Sequence, residues 1–271
     1  MTPLDQQTIL VTGATDGHGK GVARELVRMG ATVLVHGRDP ARIASTLDEL
    51  GAATPGARLR GYRADFASLA EVRALADELL AREPRLDALV NNAGIGTRIA
   101  GSADRMVSRD GHELRFAVNY LAPFLLTRLL LPRLRASRPA RIINVSSAGQ
   151  QALDFSDVML ERGYSGVRAY CQSKLAQILF TIDLAEDLAG TGVTANALHP
   201  ATYMPTKMVA TPMSSLEDGV HATLRLISDP TLDDTSGRYF DQLRERRADP
   251  QAYDGEARRA LRELSERLAG L

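Results

Sequence analysis

Tryptophan is absent, cysteine occurs once, at position 171, and lysine only three times, at 20, 174 and 207. A single Cys171 excludes an intramolecular disulfide and fits a reducing compartment. The five histidines (18, 36, 112, 199 and 221) are scattered, and no His/Cys cluster has metal-ligand spacing, so no metal site is expected. Charge of either sign is not in excess: 33 basic residues face 33 acidic ones. With no basic face interleaved with aromatics, binding to nucleic acid or to a membrane surface has no electrostatic support. The segment Met1–Gln7 has no basic n-region and does not read as a signal peptide. No uninterrupted apolar run reaches the ~18 residues that a membrane helix needs. The expectation is a soluble cytoplasmic protein with no membrane and no nucleic-acid partner.

What is present is an alternation of short apolar runs and helical patterns over 271 residues, 44% of them apolar, without linker or repeat. Thr8-Ile9-Leu10-Val11-Thr12 reads as a strand buried on both faces. Gly13-Ala14-Thr15-Asp16-Gly17-His18-Gly19 follows at once, and then Val22, Ala23, Leu26 and Val27 recur with helical spacing. Strand, glycine loop, helix is the context that places backbone N–H groups and a helix dipole against a dinucleotide pyrophosphate. A second strand, 32–36, ends at Gly37-Arg38. An acidic residue there takes the 2′-hydroxyl of NAD, whereas the Arg38 guanidinium suits the 2′-phosphate of NADP. NADP is therefore expected, with NAD as the alternative, Asp16 being a nearby charge that opposes phosphate. A third strand, 59–64, closes on Asp65-Phe66. Asp65 suits the adenine amino group or the N-cap of a helix over 67–82.

A fourth strand, 87–90, runs into Asn91-Asn92-Ala93-Gly94, small enough to let backbone approach a ligand, with amides able to tie strand ends together. Loop residues, among them Gly101 and Ser102, lead to a long apolar helix over 111–135 that contains Asn119, either a satisfied structural amide or the holder of a relay water. A fifth strand, 141–145, ends in Ser146-Ser147, and an irregular insert covers 148–167. The Tyr170–Leu188 helix opens on Tyr170-Cys171-Gln172-Ser173-Lys174. Residues four apart share a helix face, and an ammonium near a phenol lowers its pKa, so Tyr170 and Lys174 suit acid–base work. A sixth strand, 193–198, stops at His199-Pro200-Ala201-Thr202. The segment 201–215 reads as a mobile lid, and helices near 215–228 and 255–269 flank a short strand at 237–240, the last helix lying on the surface. Together these predict one α/β domain over 1–271, a Rossmann fold with a doubly wound, seven-stranded parallel sheet flanked by helices on both faces.

Thr12-Gly13-x-x-x-Gly17-x-Gly19, Asn91-Asn92-Ala93-Gly94, Asn119, Ser147, Tyr170-x-x-x-Lys174 and the Pro200 turn, in order and correctly spaced, make the chain resemble the short-chain dehydrogenases/reductases in their common, non-extended form. The run Tyr170–Ala176, the ending Gly237-Arg238-Tyr239-Phe240 and the long insert look most like the retinol-dehydrogenase-like branch. The resemblance implies an NADP-dependent oxidoreductase interconverting an alcohol and a ketone or aldehyde. It implies Tyr170 as general acid or base, Lys174 as holder of the nicotinamide ribose, Ser147 as carbonyl partner and Asn119 as anchor of a relay water. The implied cofactor residues are Gly13, Thr15, Asp16, Gly17, His18, Gly19, Arg38, Asp65, Phe66, Asn92, Ala93, Gly94, Tyr170, Lys174, Pro200 and Thr202. Three positions depart from the pattern. His18 replaces an aliphatic residue and brings an imidazole toward the pyrophosphate. Ala201 replaces a glycine, and Thr206 falls one residue late, so Thr202 is the substitute. An apolar cleft with Phe155, Met159, Tyr164, Tyr203, Met204, Met208 and Met213 suits an apolar substrate, with Ser147, Tyr164, Tyr203 and Met204 as its contacts. Oligomers of the family, a homodimer or homotetramer here, form on the helices 111–135 and 168–189. The alternative function is a cofactor-sensing NAD(P)-binding protein without turnover. A sugar-nucleotide epimerase is disfavoured by the glycine spacing and by the short C-terminal segments.

Overall fold

Strands β1 (Thr8–Val11), β2 (Thr32–Gly37), β4 (Ala88–Asn91) and β5 (Ala140–Val145) are buried at every position, as strands must be when both faces of their sheet are covered. They belong to a computed structural model that describes residues 2–97, 104–205, 211 and 213–271. Gly101, Ser102, Thr206, Met208 and Pro212 lie outside the described residues. With β3 (Arg58–Arg63), β6 (Val193–His199), β7 (Tyr239–Asp241) and β8 (Arg244–Arg246), the strands form one sheet in the order β3-β2-β1-β4-β5-β6-β7-β8. Pairing is parallel from β3 to β7. The expected seven strands are thus the parallel part. The eighth, β8, returns antiparallel to β7 through a tight hairpin, and its exposed Arg-Glu-Arg gave no apolar signal to find.

Helices α1 (Gly17–Arg28), α2 (Pro40–Ala53) and α7 (Leu216–Ser228) accompany α3 (Leu69–Arg82), α5 (Ala122–Ala136) and α6 (Gly166–Asp187) around the sheet. One apolar core holds Ile9, Val11, Val22, Leu26 and Val220; the other holds Leu10, Leu34, Leu121, Leu125 and Leu179. Neighbouring residues Ile9 and Leu10 on β1 thus serve opposite layers, the period-two alternation of a strand covered on both sides. The chain leaves β1 toward β2 and β3 on one side and β4 toward β5 and β6 on the other. This reversal opens a crevice at the strand C-termini between β1 and β4.

Local chemistry sets the helix ends. Asp39 caps α2 with Pro40 in its first turn, and Ser215 and Asp218 form a reciprocal capping box on α7. α3 begins at Leu69 under a Ser68 cap, not at Ala67 under Asp65. The helix expected over 111–135 starts at α4 (Leu114–Phe116), widens into a π turn over Ala117–Leu121 and continues as α5. By length and composition the continuous Leu114–Ala136 stretch could cross a bilayer, yet 78% of its apolar window is buried inside the protein. The C-terminal helix α8 (Gly255–Ala269) is not loose on the surface. Ala257, Leu261 and Ser265 are buried, Ser265 Oγ meets Tyr120 Oη at 2.7 Å, and Arg262 pairs with Asp183 of α6.

Candidate active site

The glycine loop between β1 and α1 is shaped from beneath. Gly13 (φ 65°) and Gly17 (φ 48°) take left-handed conformations that favour glycine. A side chain on Gly19 would run into Asn92 Nδ2 and the Gly13 carbonyl, and one on Gly13 would approach Ala93 Cα to 2.9 Å. Thr12 Oγ1 accepts the N–H groups of Asn92 (2.9 Å) and Ala93 (3.0 Å), while Asn92 Nδ2 donates to Thr12 O (2.8 Å). Asn92 therefore holds the loop by its side chain and does not point it at a ligand. His36, counted among scattered histidines in the sequence, is a strut. Its Nδ1 accepts the Gly13 N–H (3.1 Å), its Nε2 donates to Ala64 O (3.1 Å), and its ring stacks on Phe66 at 4.5 Å. Burial drives the His36 pKa down to about 4, which keeps the acceptor nitrogen unprotonated. Phe66 is thereby committed to the core, 4% exposed, and its ring is no part of a cofactor surface.

His18 also turns inward. Its Nδ1 bonds Asn92 Oδ1 (2.8 Å), and its Nε2 lies 3.0 Å from both Gly219 O and Thr223 Oγ1. The imidazole joins α1 to α7 and does not face a pyrophosphate, so only its backbone N–H is on offer there. Asp16 caps α1 through Gly17 N (2.9 Å), and Arg42 pairs with it at 2.8 Å. Arg42, overlooked in the sequence, offsets the charge that opposed a phosphate beside Arg38. Arg38 itself is exposed at the end of β2. Thr15 packs on Gly37, where a Cβ would stand 2.6 Å from Thr15 Cγ2. Asp65 accepts the Ala67 N–H (3.0 Å), and its other oxygen lies 3.5 Å from Arg109.

At the ends of β4 and β5, amides bridge strands and helices. Asn91 Nδ2 donates to Asn144 Oδ1 (2.8 Å) and Thr127 Oγ1 (2.9 Å), and Asn144 Nδ2 to Thr181 Oγ1 (2.8 Å). Asn119, fully buried in the π turn, accepts the Ile95 N–H (2.8 Å) and donates to Ile95 O (3.1 Å) and Ser173 Oγ (2.9 Å). Both of its amide hydrogens are used, and its oxygen already takes one donor. Its backbone carbonyl is different: Pro123, four residues on, has no N–H to give it the ordinary helical hydrogen bond.

The two serines part company. Ser146 is buried and gives its hydroxyl to the Lys174 carbonyl (2.7 Å). Ser147 is partly exposed, accepts the Gly149 N–H (3.0 Å) and sits with the Tyr170 ring beside Gly149. Ser165 caps α6 and so sets Tyr170 in its second turn, partly exposed, with Lys174 one turn deeper. Lys174 Nζ lies 5.9 Å from the Tyr170 ring centre and donates to Val145 O (2.8 Å) and Gln177 Oε1 (3.0 Å). Burial brings the lysine down to about 7. Burial also pushes the Tyr170 phenol above its ordinary range, with the nearby Ser147 hydroxyl working against it. The expectation that Lys174 lowers the phenol is thus not met: the ammonium is held by Val145 and Gln177, and desolvation dominates.

The insert is anchored by a buried network that the sequence did not advertise. Arg115, with no exposed surface, donates to Gly96 O (2.9 Å), Thr97 O (2.7 Å) and the Tyr164 hydroxyl, and lies 3.5 Å from Glu113. Tyr164 donates to Glu113 Oε1 (3.1 Å), and burial raises its phenol to about 12. Tyr164, expected at the substrate, is a strut instead. An Arg two residues after a Glu at the head of an apolar helix was the available signal. In the segment after β6, Pro200 is buried and His199 Nε2 meets Thr202 Oγ1 at 3.1 Å. Tyr203 is 58% exposed and, at φ 48°, bends the chain sharply. Met204 rests its sulfur on Gly219 of α7, beside the His18 ring, so it supports the segment from behind.

Comparison with known proteins gives the same outline. The family model for short chain dehydrogenase matches residues 7–215. Mouse retinol dehydrogenase 13 is 39% identical over 98% of this chain and 84% of its own length. Among solved structures, an uncharacterised protein from Mycobacterium Paratuberculosis superposes with a TM-score of 0.79 at 32% identity, covering 98% of this chain and 94% of that one. A short chain dehydrogenase from Shigella flexneri complexed with NADP gives a TM-score of 0.71 at 26% identity, covering 89% and 99%. Sequence over nearly the whole length, the doubly wound sheet and the residues gathered at its crevice agree, and the chain belongs to the short-chain dehydrogenases, in the retinol-dehydrogenase-like branch, as an NAD(P)-dependent oxidoreductase.

Proposed function

We propose that the chain is an NADP-dependent enzyme interconverting an alcohol and a ketone or aldehyde on an apolar substrate of small to medium size, with Tyr170 as the general acid or base. The observation that carries this reading is the meeting of a partly exposed Tyr170 with the Ser147 hydroxyl, one helical turn from a buried Lys174. The residues fit a dinucleotide. Gly94 has no side chain where a Cβ would stand 3.6 Å from Lys174 Nζ, which leaves the ammonium reachable. The first-turn N–H groups of α1 lie beyond a loop that Thr12, Asn92 and His36 hold in shape. Arg38 would take the 2′-phosphate, with Arg42 offsetting Asp16.

Hydride chemistry at the substrate carbon would be supplied by a nicotinamide cofactor held at this crevice. The chain's own groups manage the oxygen. Ser147 donates to the carbonyl oxygen and stabilises negative charge as it develops. Tyr170, kept protonated at neutral pH by burial, hands its proton to that oxygen in reduction. In oxidation the same phenol must lose a proton, which the neighbouring Ser147 hydroxyl assists. Beyond Lys174, the Asn119 carbonyl left without a helical donor by Pro123 suits a relay water better than the Asn119 amide does. The lone Cys171 fits a cytoplasmic setting, and we expect a homodimer or homotetramer.

The test is NADPH oxidation with all-trans-retinal and with aliphatic and aromatic aldehydes and ketones. Tyr170→Phe should lower kcat roughly 10³-fold while NADPH still binds. Turnover by Tyr170→Phe equal to the parent's overturns the reading. Arg38→Ala should weaken NADPH about tenfold or more while sparing NADH; an unchanged affinity ratio removes the NADP preference.

A further inference from the structure

Lys174 is 5% exposed and has two fixed acceptors, Val145 O at 2.8 Å and Gln177 Oε1 at 3.0 Å. An ammonium carries three N–H donors, so one remains. The Val145 carbonyl is fixed by β5. Gln177 is a side chain one turn further along α6, 1% exposed, among buried Leu175, Ala176, Ile178 and Leu179. A buried amide in such company costs stability unless it is bonded. Its backbone carbonyl accepts Thr181 Oγ1 (2.7 Å), which ties it to the Asn144–Asn91 ladder. Among the described residues, Gln177 Nε2 and Asn91 Oδ1 are buried without a hydrogen-bond partner.

We propose that Gln177 is the positioning residue of Lys174: its amide oxygen, with the Val145 carbonyl, holds the ammonium so that its remaining N–H is aimed at the nicotinamide ribose and the relay water. This rests on the role given to Lys174 above and adds to it the device that aims the lysine. The titratable groups near Lys174 are Tyr170 on its own helix and His18 on α1. From β5, the β4 loop and the π turn come Val145, Gly94 and Asn119, all uncharged. Gln177 therefore supplies a dipole where a carboxylate would have fixed the proton permanently, and Lys174 stays able to exchange it.

Three lysines in the chain make the test direct. In protein labelled with ¹⁵N-lysine, the Lys174 Nζ signal is identified by its loss in Lys174→Met and is titrated. The parent's midpoint should lie well below that of an ordinary lysine. Gln177→Leu should lower it by about one pH unit, and Gln177→Glu, which keeps the size, should raise it by about one unit or more. NADPH affinity, read from the fluorescence of the bound dinucleotide, should follow. At pH 8 it should be several-fold weaker in Gln177→Leu, and in Gln177→Glu it should persist to higher pH. Should Gln177→Leu fail to fold, Gln177→Glu and Gln177→Asn decide. A Lys174 midpoint equal to the parent's in every folded variant overturns the inference. If Tyr170→Phe is inactive while that midpoint stays fixed, the inference alone fails; an active Tyr170→Phe sinks the reading of the site instead.

Discussion

Where β1 and β2 end, side chains hold backbone in place for a ligand; where β5 ends, backbone holds side chains. His36, Asn92 and Thr12 spend nearly all their polar atoms on the Gly13–Gly19 loop and present little of themselves. Around β5 the roles reverse. The Val145 carbonyl and the Ser165 cap fix Lys174 and Tyr170, whose end groups do the chemistry. In the first region a substitution acts at one remove, through stability and cofactor affinity. In the second it acts on the reacting atoms.

The comparison breaks most severely if the buried Arg115 is removed. Arg115→Met leaves Glu113 buried without its cation and should cost about 3–5 kcal/mol by chemical denaturation. Adding Glu113→Gln should recover most of that loss; an additive double variant would mean that the two are not coupled. Next comes His36. Its folded pKa of about 4 lies below the ordinary 6.5, so between those values the unfolded chain takes up the proton first. Stability is therefore full above about pH 6.5 and lost as pH falls toward 4, by about 3 kcal/mol in all. Urea melts of the parent against His36→Asn at pH 7.5 and 4.5 should show the gap closing at low pH, and a gap independent of pH would refute the strut. The serines sharpen the contrast within two adjacent positions. Ser147→Ala should reduce kcat roughly 10²-fold. Ser146→Ala should cost only about 1 kcal/mol of stability and leave kcat near the parent's. The opposite outcome would exchange their roles.

The strand ends were legible because burial on both faces writes continuous apolar runs, and the motifs sit where those runs stop. Most helices were legible as well, α8 almost to the residue. Side-chain direction was not. Nothing in Gly17-His18-Gly19 tells that the imidazole finds Gly219, which is 201 residues away. Nothing in Asp65-Phe66 tells that the ring stacks on His36. Tyr164 read as a substrate contact because its partners, Glu113 and Arg115, precede it by some 50 positions. The π turn had a local cause in Pro123, which denies Asn119 a donor. Helical periodicity over one extra residue is nonetheless too small a change to notice. Strand β8 was missed because a charged edge strand has no buried face to pattern it.

That edge strand has a consequence for crowded solutions. A sheet ending on an exposed apolar strand invites a neighbour to continue it. Here a second molecule approaching antiparallel, centred on Glu245, would set its Arg244 against Arg246 and its Arg246 against Arg244. Like charges directly opposite each other are unfavourable, so the hairpin works as a guard against fibre-like growth.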